Sequence, residues 1–486
     1  MLERQAEYTD VSLGQKCMKY ILDERFRFRG WYKKPTGIYD TRRKEAFFPD
    51  ADSYLTLLKC DGANDVDLSS LDEKAKNTLK AFEEEGIIRR ARFGEFLQED
   101  QMYRAYPARY RKSVHWSITG ACNLKCRHCF MSAPNAKHGA PSHEEIIRIA
   151  DQMAECGIFQ VGITGGEPLI RDDLMQIIDA LNEREIGITV IYTNGWLVDE
   201  VLLDALEERN VHPGFQLSYD GVGWHDWLRG VSGAEERTIK ALKLLQERNF
   251  RTSVSMCIHR KNQHTLRESV KLMAELGVTG MKVNAVMELG EWANPELADA
   301  RISAAEEMEI YEAYIPQYFE DNAPLPISLG DFFEYTPGES EWKIGCEKPL
   351  TEEEVERCPS CGVLTKHFYI GADGMVAPCM GMADSEFSKQ FPNLRETPLK
   401  EILRDSGFVD LCNTTVGEVR RHNPECLECP HIDRCTGGCR QVALVQENDF
   451  YAIDRPQCEF FKNRWDERIR RAADPAFAEY IKRNNA

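Results

Sequence analysis

The 486-residue sequence predicts an α/β protein: a partial (β/α)6 barrel, open on one side, with a small winged-helix-like domain before it and a cysteine-rich domain after it. Three observations carry this. From residue 113 onward, short strand-like runs alternate with helical patterns, which specifies a parallel sheet wrapped by helices. Ahead of them, extended segments followed by two helical stretches form a separate module. After about residue 330 the periodic apolar content fades, and ten of the seventeen cysteines fall between Cys346 and Cys458. A region with so little core needs another source of cohesion, which metal clusters can supply. The expected organisation is therefore 1–95 (module), 96–111 (linker), 112–330 (barrel), 331–345 (bridging segment), 346–462 (cysteine-rich domain) and 463–486 (C-terminal helix and tail).

In the module, FRFRGWYK and GIYDTRR read as extended segments separated by the turn signal Lys34-Pro35-Thr36-Gly37, and helices are expected near 51–59 and 69–85, the second closing at Gly86. Barrel strands are expected at Ser113–Thr119, Phe159–Thr164, Ile188–Tyr192, Phe215–Tyr219, Thr252–Ile258 and Met281–Val286. The intervening helices are Ser142–Cys156, Leu174–Glu185, Val198–Glu208, Glu235–Gln246 and Leu266–Leu276, the first opened by a Ser142/Glu145 capping box. In such a barrel, function belongs at the C-terminal ends of the strands. A charged helix is expected at about 460–472.

The bulk composition excludes several classes. A net charge of −19 argues against a nucleic-acid partner, which needs a basic face. No apolar run is long enough for a membrane span, and MLERQAEYTD lacks the apolar core of a secretion signal, so a cytoplasmic protein is expected. Seventeen cysteines in a reducing compartment point to metal ligation rather than disulfides.

The first expected strand leads into Thr119-Gly120-Ala121 and then Cys122-Asn-Leu-Lys-Cys126-Arg-His-Cys129. Three thiolates so spaced can hold three irons of a 4Fe–4S cube and leave the fourth open to a reagent. A tetrahedral zinc completed by His128 is the other chemistry this set permits. Later strands end in Thr164-Gly165-Gly166-Glu167-Pro168, Thr193-Asn194-Gly195 and Ser218-Tyr219-Asp220-Gly221, and Arg229 follows in LRGV. Individually these are turn glycines, a loop cap and a surface charge. In order at successive strand ends, they form a site.

The CxxxCxxC loop resembles that of the radical S-adenosylmethionine (SAM) superfamily. The resemblance implies that SAM chelates the open iron and that one electron splits it to methionine and a hydrogen-abstracting 5′-deoxyadenosyl radical. It further implies SAM contacts from His128 (adenine), Gly165, Gly166 and Glu167 (methionyl and amino groups), Thr193, Asn194, Ser218 and Asp220 (ribose or amino-acid end) and Arg229 (carboxylate). The pattern Cys358-x2-Cys361, Gly374-x4-Cys379, Cys426-x2-Cys429-x5-Cys435-x3-Cys439 and Cys458 resembles the SPASM extension of peptide-modifying members, which carries two auxiliary clusters. By that resemblance Cys358, Cys361, Cys379 and Cys439 hold one 4Fe–4S cluster and Cys426, Cys429, Cys435 and Cys458 the other, three clusters in all. Cys346 can replace Cys358 or Cys361, one iron can be open, and zinc ribbons remain an alternative for the CxxC pairs.

The N-terminal module in turn resembles the recognition element that takes a precursor peptide's leader as an added strand. Its acidic residues, Asp61, Asp65, Asp67, Asp72 and Glu83 to Glu85, disfavour phosphate binding. Cys257 shares a strand face with Ser253 and Ser255 and is a candidate hydrogen donor, while Cys17, Cys60, Cys156 and Cys412 read as structural. The implied function is maturation of a ribosomally synthesised precursor peptide, by thioether formation first. Carbon–carbon or ether cross-linking, epimerisation, a sulfatase-maturing type of oxidation and simple electron carriage are the alternatives. The implied partners are that peptide and a small electron donor such as flavodoxin or ferredoxin, with no nucleic acid and no membrane.

Overall fold

The computed structural model of the chain describes residues 17–68, 70–133 and 136–484, with the backbone alone for Cys17 and Asp67. Two compact units are present, Met1–Tyr110 and Arg111–Ala486. No helix among the described residues is long and apolar enough to cross a membrane. The MLERQAEYTD segment and the side chains of Cys17 and Asp67 lie outside what is described.

In the first unit the strands are β1 (Cys17–Met18), β2 (Tyr20–Leu22), β3 (Phe26–Trp31), β4 (Lys34–Asp40), β5 (Glu45–Phe47), β6 (Val66–Asp67), β7 (Ile88–Arg90) and β8 (Arg104–Tyr106); the helices are α1 (Ala51–Leu57) and α2 (Glu73–Glu84). β5, β4 and β3 form an antiparallel meander, and β8 joins β3 in parallel. Phe26, Phe28, Ile38, Tyr54, Leu57, Leu79 and Ile88 share one core, each large apolar side chain contributing about 1.5–3 kcal/mol on burial. Asp50 and Asp72 start the helices by accepting from the Ser53 and Ala75 amides, which satisfies donors the helix cannot.

Two expectations change here. The turn falls at Tyr32-Lys33, where Lys33 has φ 62°, and Lys34–Gly37 runs inside β4. The pairing shifts register between Arg29 and Trp31, and such an irregularity lets Pro35 sit in a strand despite its missing donor. The stretch read as a linker carries β8 instead, held by the buried Arg29 guanidinium donating to the carbonyls of Asp100 and Met102 (2.8 and 3.0 Å).

In the second unit the first six strands are β9 (Ser113–Ser117), β10 (Gln160–Thr164), β11 (Gly187–Thr193), β12 (Gly214–Ser218), β13 (Thr252–Ile258) and β14 (Met281–Ala285). They are parallel neighbours in that order. α3 (His143–Glu155), α4 (Leu174–Glu183), α5 (Glu200–Glu208), α6 (His225–Arg229), α7 (Ala234–Glu247), α8 (Leu266–Glu275) and α9 (Ala304–Glu320) connect or flank them. The Ser142/Glu145 capping box is present at the start of α3. The sheet extends beyond six strands. β15 (Ile327–Leu329) adds in parallel to β14 and folds back as β16 (Phe333–Tyr335), while β17 (His367–Ile370) adds in parallel to β9 and folds back as β18 (Val376–Ala377). The ten-stranded order is β16-β15-β14-β13-β12-β11-β10-β9-β17-β18.

Strand alternation sets the two faces. Val114, Trp116, Val161, Ile163, Phe215, Leu217, Val254 and Met256 are buried on one face. His115, Tyr192, Gln216, Ser253, Ser255 and Lys282 alternate with them, and this second face is polar and less buried. The final helix, Trp465–Asn484, is longer than expected and brings Phe477 within 5.4 Å, centroid to centroid, of Phe319 on α9.

Candidate functional site

Beyond β9 the chain turns through Thr119 and Gly120 into the Cys122–Cys129 loop. Each of its three sulfurs has a donor facing it: Leu124 N to Cys122 (3.4 Å), Arg229 Nη1 to Cys126 (3.7 Å) and Ala133 N to Cys129 (3.3 Å). Donors aimed at sulfur favour the thiolate form that metal binding requires, although burial pushes the metal-free Cys122 thiol up to about 12. The loop roofs a cavity of about 270 Å3 at the C-terminal ends of the strands. The cavity is lined by the three cysteines together with His128, Gly165, Gly166, Thr193, Asn194, Ser218, Arg229 and Cys257.

The glycines permit this convergence. A Cβ on Gly166 would lie 2.2 Å from the Ala121 carbonyl oxygen, and one on Gly165 would lie 2.5 Å from that of Thr119. Only glycine lets the β10 loop lie against the cysteine loop.

Two expected site residues stand behind the cavity rather than in it. Glu167 is fully buried and accepts from Thr193 Oγ1 (2.8 Å), Asn194 N (2.7 Å) and Leu169 N (3.1 Å). It ties the β10 end to the β11 end, and burial raises its carboxyl to about 7 against those hydrogen bonds. Asp220, also fully buried, accepts from Arg229 Nε (2.8 Å) and from the Cys257 amide (3.0 Å). Burial opposes its ionisation, but the Arg229 guanidinium outweighs that and holds the carboxyl well below the usual range. Asp220 thereby aims Arg229 at Cys126.

The thiol, imidazole and carboxylate of Cys257, His128 and Asp220 converge within 4.8 Å. With Arg229 already neutralising Asp220, this is an ion-paired wall and not a cation site. His128 Nδ1 is buried without a partner, and burial lowers its ring to about 3. Cys257 is pushed by burial to about 12 and stays a thiol. The sequence reading missed Tyr192 and Gln216, and named Ser255 only as sharing a face with Cys257; all three also line the cavity. Their period-two spacing from the strand-end residues was the available signal.

The C-terminal cysteines gather in two places. Cys426, Cys429, Cys435 and Cys458 line one small cavity beside Arg420, His431 and Asp454. Burial raises the thiols of Cys379 and Cys439, and Cys361 lies near enough to add to both. Cys358 receives Lys348 Nζ at 2.8 Å. Cys346, considered for the Cys361 set, stands beside Cys435 instead, and the amide of Gln457 reaches both the Cys346 carbonyl and Cys435 Sγ (3.4 and 3.7 Å). Cys60, Cys156 and Cys412 are buried in cores. The donor sets suit iron–sulfur clusters: clustered cysteine sulfurs, three facing a roomy cavity and four enclosing a small one.

Residues 116–273 match the radical SAM superfamily, and residues 361–430 match the SPASM iron–sulfur cluster-binding domain. PqqA peptide cyclase of Granulibacter bethesdensis is 27% identical over 70% of this chain and 85% of its own length. An AdoMet-dependent heme synthase of Nitratidesulfovibrio vulgaris is 25% identical over 72% and 92%. The solved structure of Streptococcus suis SuiB bound to precursor peptide SuiA superposes with a TM-score of 0.60 at 17% identity, covering 90% of this chain and 98% of that one. That coverage exceeds what residues 111–486 alone supply, so the likeness of fold reaches into the N-terminal unit. The chain therefore carries a radical SAM domain followed by a SPASM domain.

Proposed function

We propose that this radical SAM enzyme matures a ribosomally synthesised precursor peptide and closes an intramolecular thioether in it. The observation that carries the reading is the cavity of about 270 Å3, where the CxxxCxxC loop meets four strand ends and passes, through Gln216 and Ser255, onto the polar inner face of the sheet. Hydroxyls, an amide and Lys282 on that face suit a peptide's main chain and polar side chains. The likeness to a precursor-peptide complex and to a peptide cyclase supports the same substrate class.

In this reading Cys122, Cys126 and Cys129 hold a 4Fe–4S cluster with one open iron, and SAM lies against Gly165, Gly166, Thr193, Asn194, Ser218 and His128. Arg229 pairs with the SAM carboxylate. Its fork is already ordered by Asp220, so less conformational entropy is lost when the second carboxylate arrives. Glu167 holds Thr193 and Asn194 in place. Cys358, Cys361, Cys379 and Cys439, and separately Cys426, Cys429, Cys435 and Cys458, hold two auxiliary clusters. When bound, SAM and the clusters supply a hydrogen-abstracting radical and an acceptor for one electron. Residues 1–95 act as a winged-helix-like recognition element for the leader, and a small protein donor supplies the reducing electron.

Thioether closure removes two hydrogens from the peptide: one as an atom from carbon, one as a proton from the thiol, with one electron left over. Co-expressed precursor should therefore lose the mass of two hydrogens and one alkylatable thiol, and the loss should survive Cys257→Ala. Unchanged mass with solvent deuterium uptake that Cys257→Ala abolishes would replace the reading with epimerisation. Lost hydrogens with every thiol still alkylatable would mean a carbon–carbon or ether bond. The heme-synthase relative favours a second reading, and conversion of a tetrapyrrole with no change in peptide would establish it.

A further inference from the structure

The chain's net charge of −19 gives its surface a repulsive field toward acidic proteins. One place beside the cysteine loop departs from it. Lys125 and Arg127 flank Cys126: Lys125 is exposed, and the Arg127 guanidinium lies 5.0 Å over the Trp227 ring. On the other side of the loop Arg237, exposed on α7, lies 5.2 Å over Trp196. The two sides are joined through the loop, because Thr238 Oγ1 donates to the Asn194 carbonyl (3.3 Å) and Asn194 Nδ2 to Asn123 Oδ1 (2.8 Å). Among the described residues no carboxylate pairs with Lys125, Arg127 or Arg237. The acids on these elements include Asp199, whose side chain caps α5, Glu235, which accepts from the Tyr219 hydroxyl and the Gly223 amide, Asp226, which accepts from the Gly233 and Glu235 amides, Asp204 and Glu207, which pair with Arg248, and the exposed Glu200 and Glu236.

The same place is apolar. Leu197 and Val201, 37% and 75% exposed, are the exposed large aliphatic side chains of the barrel segment among the described residues; Leu197 follows Trp196 directly and Val201 lies in the first turn of α5. Unpaired cations around exposed apolar and indole surface form the anatomy of a transient protein interface. The position matters because the reading above requires an electron to reach the Cys122–Cys129 loop from outside.

We propose that Lys125, Arg127, Trp196, Leu197, Val201 and Arg237 form the docking face for a small acidic one-electron carrier protein that reduces the cluster held by this loop. The proposal rests on the radical SAM reading. One electron leaves the carrier and enters the cluster; no bond forms or breaks and no proton moves. Acidic carriers approach here because the cations flanking the cysteine loop attract them.

The test uses the reconstituted full chain, a purified acidic flavodoxin and, in parallel, dithionite. Binding is measured calorimetrically, and cluster reduction by bleaching of its visible absorption. Wild-type binding and reduction by flavodoxin should weaken as salt rises. Lys125→Glu/Arg237→Glu should slow reduction by flavodoxin at least about tenfold with dithionite reduction unchanged. Val201→Asp, remote from the thiols, should do the same and serves if the double variant loses iron. Wild-type rates in iron-replete variants, or a flavodoxin rate that rises with salt, would overturn the docking face. Failure of the dithionite-reduced chain to cleave SAM would instead refute the enzymatic reading, and flavodoxin binding would still decide this one.

Discussion

Glu167 is legible as part of a Gly-Gly-Glu run, yet its task is not. The sequence places it at a strand end and invites a role as acceptor for a ligand amine, whereas the structure commits both its oxygens to Thr193, Asn194 and Leu169. Asp220 is similar: a strand-end aspartate by pattern, a buried brace for Arg229 by geometry. Neither partner set is wholly local, since the parallel sheet brings Thr193 and Asn194 to Glu167 and the Cys257 amide to Asp220. The Glu167 brace has a pH signature. Burial raises its carboxyl from the ordinary 4.5 to about 7, so the folded chain binds a proton that the unfolded chain has released. Its contribution is present below about 4.5 and is lost as pH rises to about 7, by about 3 kcal/mol in all. Denaturant titrations of metal-free protein at about pH 5 and pH 7.5 should show wild type losing roughly that much more than Glu167→Gln. Parallel pH slopes for the two proteins would remove Glu167 as a titrating brace.

Among the elements, the six strands β9 to β14 and the helices between them are legible because period-two and period-3.6 patterns alternate with clear caps, as at Ser142. β15 and β17 are not. Each has only three or four residues, and β17 pairs with β9 across some 250 positions of chain, His367 opposite Ser113, a pairing no local pattern announces. The turn at Tyr32-Lys33 was misplaced because a Pro-Thr-Gly run outweighs a lysine in turn chemistry, while here the lysine takes the left-handed conformation. The cavity lining shows the same division: Gln216 and Ser255 follow from alternation once the strand-end residues are chosen, but His128's unpartnered nitrogen does not. The β10 loop offers a direct test of the element packing. Gly166→Ala places a methyl 2.2 Å from the Ala121 carbonyl, so one loop must move. Stability should fall by about 1–3 kcal/mol, and SAM affinity by equilibrium dialysis should fall at least about tenfold, since small displacements of a positioned site are costly. Gly86→Ala, where nothing lies within 4 Å but φ is +67°, should cost about 1 kcal/mol and leave SAM binding alone. Equal SAM affinity in both variants would show that the loop contact does not shape the cavity.

At the scale of the whole molecule the two units make separable predictions. Three clusters would give roughly twelve irons per reconstituted chain. Replacing Cys426, Cys429, Cys435 and Cys458 by alanine should remove about four of them, and zinc in place of iron would defeat the auxiliary-cluster assignment. The sequence set the end of the N-terminal module at residue 95, whereas its sheet continues through β8 and the compact unit ends at Tyr110. The difference decides where to cut. Removing residues 1–95 would strand β8 and take Arg29 away from the carbonyls of Asp100 and Met102, leaving Met102 and Tyr103, already half-exposed, on an unpaired tail. Such a tail favours aggregation and would mimic a catalytic defect. A cut between Tyr110 and Arg111 removes one unit with its own core and leaves the whole ten-stranded sheet. Residues 111–486 should then cleave SAM on chemical reduction at near the full-length rate, because every residue lining the cavity is retained. Precursor binding should weaken by two orders of magnitude or more, about 3 kcal/mol, if main-chain pairing with the N-terminal sheet supplies the leader's affinity. Unchanged precursor affinity in the truncated chain would end the recognition-element reading. Loss of SAM cleavage along with it would show that the first unit supports the radical site as well as the substrate.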